Sequence, residues 1–474
     1  MYTLPNKLKV FALVFMVLGA VGIVAGFLSA PKTTEDVAAM MADAHHGDGH
    51  GDAEAHHGDG HGEVEATHHS GESHHGTESH AAAEDHHGEE MTHEHAQADP
   101  HQEHLEHVMH QLQNRPWSAL YIASFFFFMI ALGALAFYAI QYAAQAGWSP
   151  ILFRVMEGIT GYLPVASVLV FVLLLASAFH FNHIFHWMDP ELVNPESAHY
   201  DKIIAGKSGY LNVPFFLIRA LFFLLGWNAY RWLSRKYSLA DDTAEDQSFF
   251  KKNFKLSAGF LVFFIVTESI MSWDWIMSFD PHWFSTLFGW YVFAGMMVCA
   301  ITVIALVTIY LKSQGYLEEV NDSHIHDLAK FMFGFSIFWT YLWFSQFMLI
   351  WYADIPEEVT YFVTRIEQYK LPFFGMIAMN FVFPLLLLMN SDYKRVNWFV
   401  VMAGIVILAG HYLDVFNMVM PATVGESWTI GVPELGALMF FFGLFIYVVF
   451  TTLTKAPLVP KNNPFIKESK HFHY

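Results

Sequence analysis

Along most of this chain apolar residues do not alternate with polar ones; they run together. Ten stretches are apolar on every face, near 10–30, 117–142, 161–185, 211–233, 256–278, 284–311, 329–352, 372–391, 396–418 and 432–454. A helix that is apolar all round is buried in a large core or in a bilayer. About 20 such residues cross the ~30 Å of hydrocarbon. The pattern therefore predicts an all-α polytopic membrane protein with about ten transmembrane helices. One segment breaks it. Residues 31–116 are low in complexity, made largely of Asp, Glu, Gly, Ala and His, and hold 19 of the 29 histidines. They lack the apolar content for a core, which predicts disorder at least through about 100. The last part, HQEHLEHVMHQLQNRP (101–116), fits a short amphipathic helix leading into the second span.

Composition agrees with the membrane class: of 474 residues, 54% are hydrophobic, 17% aromatic and 14% charged. The formal charge of −20 is local. Residues 31–116 carry 19 Asp or Glu against Lys32 and Arg115, so they contribute −17 and the rest of the chain only −3. The single cysteine, Cys299, lies in an apolar run. It excludes an internal disulfide, a CxxC pair and a cysteine-ligated iron–sulfur cluster within this chain.

Lys7 and Lys9 precede the first run and Pro31 follows Ala30. Proline after a small residue disfavours signal cleavage, so 1–30 is expected to be a retained signal-anchor helix. Ten alternating spans put both termini on one side, with seventeen Lys and Arg there against six opposite. That asymmetry predicts cytoplasmic termini and a periplasmic His-rich segment in a bacterial inner membrane. Arg219 belongs to neither side, lying inside the fourth span. A weak repeat is visible. Asp274 stands seven residues before Pro281, as Asp414 does before Pro421, and HIFHWMDPE (183–191) loosely matches LIWYADIPEE (349–358). Helices 2–5 and 6–9 are then two four-helix bundles of the same direction, with helices 1 and 10 peripheral. The corresponding divisions are 1–30, 31–116, 117–283, 284–421, and 422–474 for the tenth helix and a cytoplasmic tail.

Chemistry concentrates around TESIMSWDWIMSFDPHWFSTLFGWY (267–291), which closes one apolar run and opens the next. An ionised carboxylate within a bilayer costs about 3 kcal/mol on insertion scales, so such residues mark pathways or paired charges. The candidates for a proton path opening outward are Glu268, Asp274, Asp280 and His282 on helix 5, and His180, His183 and Asp189 at the end of helix 3. Asp354 and Glu357 after helix 7, and His411 and Asp414 on helix 9, complete the set. Asp274 is the first choice as relay, with Asp414 its counterpart in the repeat, and Arg219 is the expected counter-charge of either Glu268 or Asp274. The competing reading is that the outer residues are interface groups satisfied by water and that a buried pair is structural. His180, His183 and His186 are spaced as a drifting stripe on one helical face. With His411 they are also formal candidates for haem ligation. Trp339, Trp343 and Phe344 read as lipid-facing or packing residues, and Trp273, Trp275, Trp283 and Trp290 as an interfacial belt. His45, His46, His56 and His57 are candidate metal ligands without a fixed four-ligand geometry. No catalytic centre is expected in this chain alone, and no nucleic-acid partner.

Two segments carry a resemblance. SWDWIMSFDPHWFSTLFGWYVFAG (272–295) and SQFMLIWYADIPEE (345–358), with the ten-span plan, resemble the ActF-type membrane subunit of alternative complex III. That subunit belongs to the NrfD/polysulfide-reductase membrane-subunit family, and the likeness covers most of 117–455. The ActC-type sister subunit is the nearest confusion. The resemblance implies a respiratory quinol:cytochrome c, or quinol:terminal-oxidase, oxidoreductase in bacteria lacking the conventional cytochrome bc complex. It implies multihaem cytochrome c and iron–sulfur partner subunits that hold haem c and the clusters. It also implies quinone or menaquinone contact chiefly through the ActC-like partner, and proton half-channels in the membrane pair. Asp274 and His282 fall in the first motif, Asp354 and Glu357 in the second. The His-rich segment is not covered.

Two other functional classes stay open on the residues alone. A self-contained proton-coupled secondary transporter fits parallel repeats and buried aspartates. A haem-bearing membrane anchor fits the histidines.

Overall fold

The computed structural model describes residues 1–47 and 100–473. Among them every regular element is helical. Ten helices are long and apolar enough to cross a bilayer, numbered here in chain order. They are α1 (Asn6–Ser29), α2 (Leu105–Ala143), α3 (Pro150–Ala178), α4 (Val213–Asp241) and α5 (Ser248–Phe279). The second half holds α6 (Phe288–Ser313), α7 (Asp322–Ala353), α8 (Lys370–Leu388), α9 (Asn397–Thr423) and α10 (Val432–Leu453). The protein is an all-α polytopic membrane protein. With an even number of crossings both termini share a side, called the terminal side below.

The chain divides into two compact units, Met1–Pro31 with His110–Tyr474, and Lys32–Met109. In the second unit, helix Thr34–Gly47 corrects the expectation of disorder from residue 31. Its first turn is fixed by Asp36, whose carboxylate accepts from the Lys32 and Thr33 amides at 3.1 and 3.0 Å, while Thr33 Oγ1 accepts from the Asp36 amide. The alanine and methionine run behind that cap is good helix former. The expected amphipathic helix at 101–116 is no separate element: one helix runs from Pro100 to Ala143 through Pro116, so the boundary placed at 116 falls inside it.

In the larger unit α6 to α9 close a four-helix ring, α6 on α7, α7 on α8, α8 on α9 and α9 on α6. The first bundle closes similarly. α3 packs on α4 and α4 on α5, while the Tyr121 hydroxyl of α2 donates to the Trp275 carbonyl of α5 at 2.8 Å. Helices α1 and α10 form a pair through backbone contact. A Cβ on Gly22 would lie 2.8 Å from Gly436 Cα, and one on Gly19 would lie 2.3 Å from Phe440 N. Small residues let helices approach this closely in lipid, where no hydrophobic force drives them together.

The third span differs from its expected bounds. Pro150, its fixed φ suited to a first turn, starts it about ten residues early. It stops at Ala178 because His180 adopts a left-handed conformation, φ 59°. The Phe181 amide then bonds Ala176 O at 2.9 Å and the His180 amide bonds Ser177 O at 3.0 Å, a Schellman C-cap. His180, His183 and His186 therefore lie in an exposed irregular segment and form no helical stripe. In α8 a π-helical turn, Ala378–Val382, precedes Pro384.

Two outcomes follow. Gly436→Val forces α1 off α10, and overpacking of this kind costs about 1–3 kcal/mol; a lowered thermal midpoint of the purified chain measures it. Deleting 48–99 should leave insertion and folding of the larger unit intact, read by monodisperse gel filtration at an unchanged melting temperature.

Candidate functional site

Among the described residues two buried aspartates occupy the half of the molecule away from the termini, one per bundle, and their surroundings differ in kind. Asp274, on α5, is fully buried. Arg219 of α4 grips it with two hydrogen bonds, Nε to Oδ2 at 2.7 Å and Nη2 to Oδ1 at 3.0 Å. The Tyr210 hydroxyl donates to Oδ1 at 2.8 Å. Arg219 also donates to the Tyr210 carbonyl at 3.1 Å and lies 4.0 Å from the Tyr210 ring centroid and 4.2 Å from that of Phe215. Burial and the Asp274 charge push the Tyr210 phenol above its ordinary value, so it stays a donor. A bidentate, charge-assisted arrangement favours the ionised carboxylate. Of Glu268 and Asp274, between which the sequence left Arg219 open, Asp274 is the one it meets.

Asp414, on α9, is equally buried but meets no lysine or arginine among the described residues. Its Oδ2 accepts from Trp339 Nε1 of α7 at 2.9 Å and lies 3.3 Å from Nδ1 of His411, one turn earlier. Its Oδ1 accepts from the Tyr291 hydroxyl of α6. Neighbouring buried polar atoms stand without protein partners: His411 Nε2, both amide atoms of Asn380 and Asn417 Oδ1. Asn380 lies in the π-turn of α8, opposite Gly410, where a Cβ would come 2.2 Å from Asn380 Oδ1. Such turns often mark functional positions.

Two small cavities lie beside Tyr291, the phenol bonded to Asp414. Tyr291 lines a cavity of about 20 Å³ together with Tyr361, Arg365 and Asn417. A second of about 10 Å³ shares Tyr361, Arg365, Phe288 and Met418 with it and reaches Asp280. Each has room for about one water on the ~10–15 Å³ such a site needs. Arg365 is buried, donates to Asn417 O at 3.0 Å and Tyr361 O at 2.7 Å, and stacks 3.3 Å from the Tyr361 centroid. Asp280 thus lines a cavity shared with residues of the second bundle, although its own segment follows Asp274 in the chain.

Glu268 is buried on α5 and hydrogen-bonded to Ser272 at 3.2 Å. It faces a cavity of about 200 Å³ between α2, α5 and α6, with no lysine, arginine or histidine partner among the described residues. On the terminal side lies a network that the sequence shows only as isolated polar residues. Arg154 donates to Glu157 at 2.9 Å and to Asp242 at 2.6 Å. Glu157 also accepts from Arg235, from Ser238, and from Tyr138 at 3.1 Å. Asn253 and Ser234 continue it, and Tyr230 and Ser257, 2.8 Å apart, end it. Phe260 and Phe264 then fill the buried face of α5 as far as Thr267 and Glu268. Eleven residues of helix from Ser257 to Glu268 amount to about 16 Å.

The remaining candidates stand at the surface. Asp189 caps a turn, accepting from the Glu191 amide at 2.9 Å. His282 lies 2.6 Å from Asp201, whose carboxyl the Ile204 amide holds below its usual value, with His282 adding to the effect. Asp354, at φ 50°, ends α7, and Glu357 opens helix Pro356–Glu367; both are exposed. His180 and His183 are exposed while His411 lies inside the second bundle, so these histidines do not assemble a haem-ligand pair. Trp339 is a fully buried hydrogen-bond donor to Asp414, not a lipid-facing ring. Trp275 and Trp283 are likewise buried, outside any interfacial belt. Among the described residues no three His, Cys, Asp or Glu gather at metal-binding distance. His56 and His57, and the side chains of His45 and His46, lie outside the described residues. Tyr291, Trp339 and Arg365 are the site residues that sequence reasoning missed. Arg365 had a signal, a basic residue on the positive-poor side, that charge counting absorbed.

The pairing around Asp274 gives a test. Arg219→Leu leaves a buried carboxylate uncompensated, which costs about 3–5 kcal/mol. Arg219→Leu with Asp274→Leu should recover most of the loss. Thermal unfolding of the three chains measures both changes.

No protein-family model matches this chain, and no curated protein sequence matches it.

Proposed function

We propose that this chain is an integral membrane subunit of a respiratory quinol:cytochrome c, or quinol:terminal-oxidase, oxidoreductase of the alternative complex III type, and that it carries part of a proton pathway. In this reading its termini are cytoplasmic and its His-rich segment periplasmic, in a bacterial inner membrane. Haem c and iron–sulfur clusters reside in partner subunits, and quinol meets chiefly an ActC-like partner. The resemblance of 272–295 and 345–358 supports the assignment to that complex.

One observation carries the proton pathway. Asp414 is buried against His411, Tyr291 and Trp339 with no lysine or arginine partner among the described residues, and its partner Tyr291 lines the first of two small cavities that share Arg365, the second of which reaches Asp280. Protons would leave from Asp414 through Tyr291 and cavity water to Asp280. The terminal-side network of Glu157, Arg154 and Tyr138 would form the opposite half in the first bundle. Phe260 and Phe264 separate that network from Glu268, which prevents free leak. Asp274, first choice on sequence grounds, is held by Arg219 and serves better as a fixed charge that orients the outer half.

Reconstituted proteoliposomes decide this. Asp414→Asn keeps size and hydrogen bonding but cannot hand on a proton. The complex should assemble with its haem and iron–sulfur content and release fewer protons per electron. Asp274→Asn should weaken assembly and leave the ratio unchanged in what survives. A wild-type ratio in a fully assembled Asp414→Asn complex removes Asp414 from the path.

A further inference from the structure

A large cavity among the described residues is lined by none of these site residues. It measures about 770 Å³ and separates the α1–α10 pair from the second bundle, with walls from α1, α2, α6, α9 and α10. Along α10 it runs from Glu434 to Phe450, sixteen residues or about 24 Å of helix, most of the ~30 Å hydrocarbon thickness. Its lining is aliphatic and aromatic apart from Glu434, Tyr310 and Tyr412.

Three occupants compete, and the polar atoms discriminate among them. Water needs two to four polar partners at each position, and this wall offers almost none. An empty cavity of this size forfeits dispersion contacts over its whole lining. An isoprenoid quinone needs donors for its ring oxygens. Glu434 has none to give: Oε1 accepts from Arg115 Nε at 2.7 Å, and Oε2 accepts from Arg115 Nη2 at 3.0 Å and from the Gly431 amide at 2.8 Å. The two tyrosines stand at different depths, Tyr310 near the terminal-side end of α6 and Tyr412 near the middle of α9. They cannot serve one ring together. A flexible hydrocarbon chain needs no partner and fits the elongated apolar space.

We propose that this cavity is a structural lipid site, filled by phospholipid acyl chains that seal the α1–α10 pair to the second bundle. Glu434 and Arg115, mutually satisfied, close its outer end and do not bind the headgroup. The lipid is thus a filler of the fold, independent of the proton pathway and of the complex to which the chain belongs.

Native mass spectrometry of the full chain, extracted from membranes and washed in detergent, tests the proposal. The unmodified chain should retain at least one phospholipid. Ala409→Trp and Leu438→Trp, which fill the cavity, should each lose it, and Val262→Trp, on the exposed face of α5, should keep it. Photolabelling needs no variant. A phospholipid with a diazirine on its acyl chain, in membranes holding the unmodified chain, should label Val303 or Val307 in the lining. The proposal is overturned if the unmodified chain retains no phospholipid, if both filled variants fold and retain it, if the bound species is a quinone, or if label is confined to outward-facing positions such as Val262.

Discussion

A carboxylate in the hydrocarbon region must have a partner for its charge or take up a proton, and the two bundles meet that constraint in different ways. In the first, Arg219 supplies a full positive charge two hydrogen bonds from Asp274, with Tyr210 completing the carboxylate's shell. Protonating Asp274 would leave that guanidinium uncompensated, which is why the proposed function casts Asp274 as a fixed charge. In the second bundle, an imidazole, a phenol and an indole take the place of the arginine around Asp414. None of these is obliged to carry charge, and that difference is what the proposed relay role of Asp414 rests on. The repeat is therefore one of position and not of chemistry.

That difference organises what surrounds each site. Around Asp274 the carboxylate itself is fully occupied, and behind it Ser278 donates to the Asp274 carbonyl at 2.5 Å and Trp187 donates to Ser278 at 3.2 Å. Around Asp414 polar atoms are left over, on Asn380, Asn417 and His411, and the π-turn of α8 opens the ladder beside them. Buried polar atoms without protein partners usually meet water, and of the two small cavities the first is lined by Asn417 and the second reaches Asp280. Order on one side and spare hydrogen-bonding capacity on the other are what a fixed charge and an exchanging group respectively need.

Much of the fold was legible because membrane helices announce themselves by length and composition. All ten spans were visible, as was Arg219 as the cation for a buried carboxylate. The end of α3 was not. Phe179 to Ile184 continue the apolar run with only polar interruptions that a helix also tolerates, and nothing in them marks the left-handed residue at His180. The site in the second bundle was half legible. Asp414 and His411 stand out as ionisable groups in an apolar run, whereas Tyr291 and Trp339 are two aromatics in a chain where 17% of residues are aromatic. Their role exists only when α6, α7 and α9 meet. The terminal-side network shows the same limit, since Arg154, Asp242 and Arg235 come from loops and helix ends that sequence spacing does not bring together.

The central claim is that Asp414 exchanges a proton during turnover and Asp274 does not. Infrared difference spectroscopy of the complex proposed above, between its quinol-reduced and oxidised states, reads carboxylic-acid C=O bands directly. The account predicts a band that disappears in Asp414→Asn and persists in Asp274→Asn. A band lost in Asp274→Asn and retained in Asp414→Asn would contradict it.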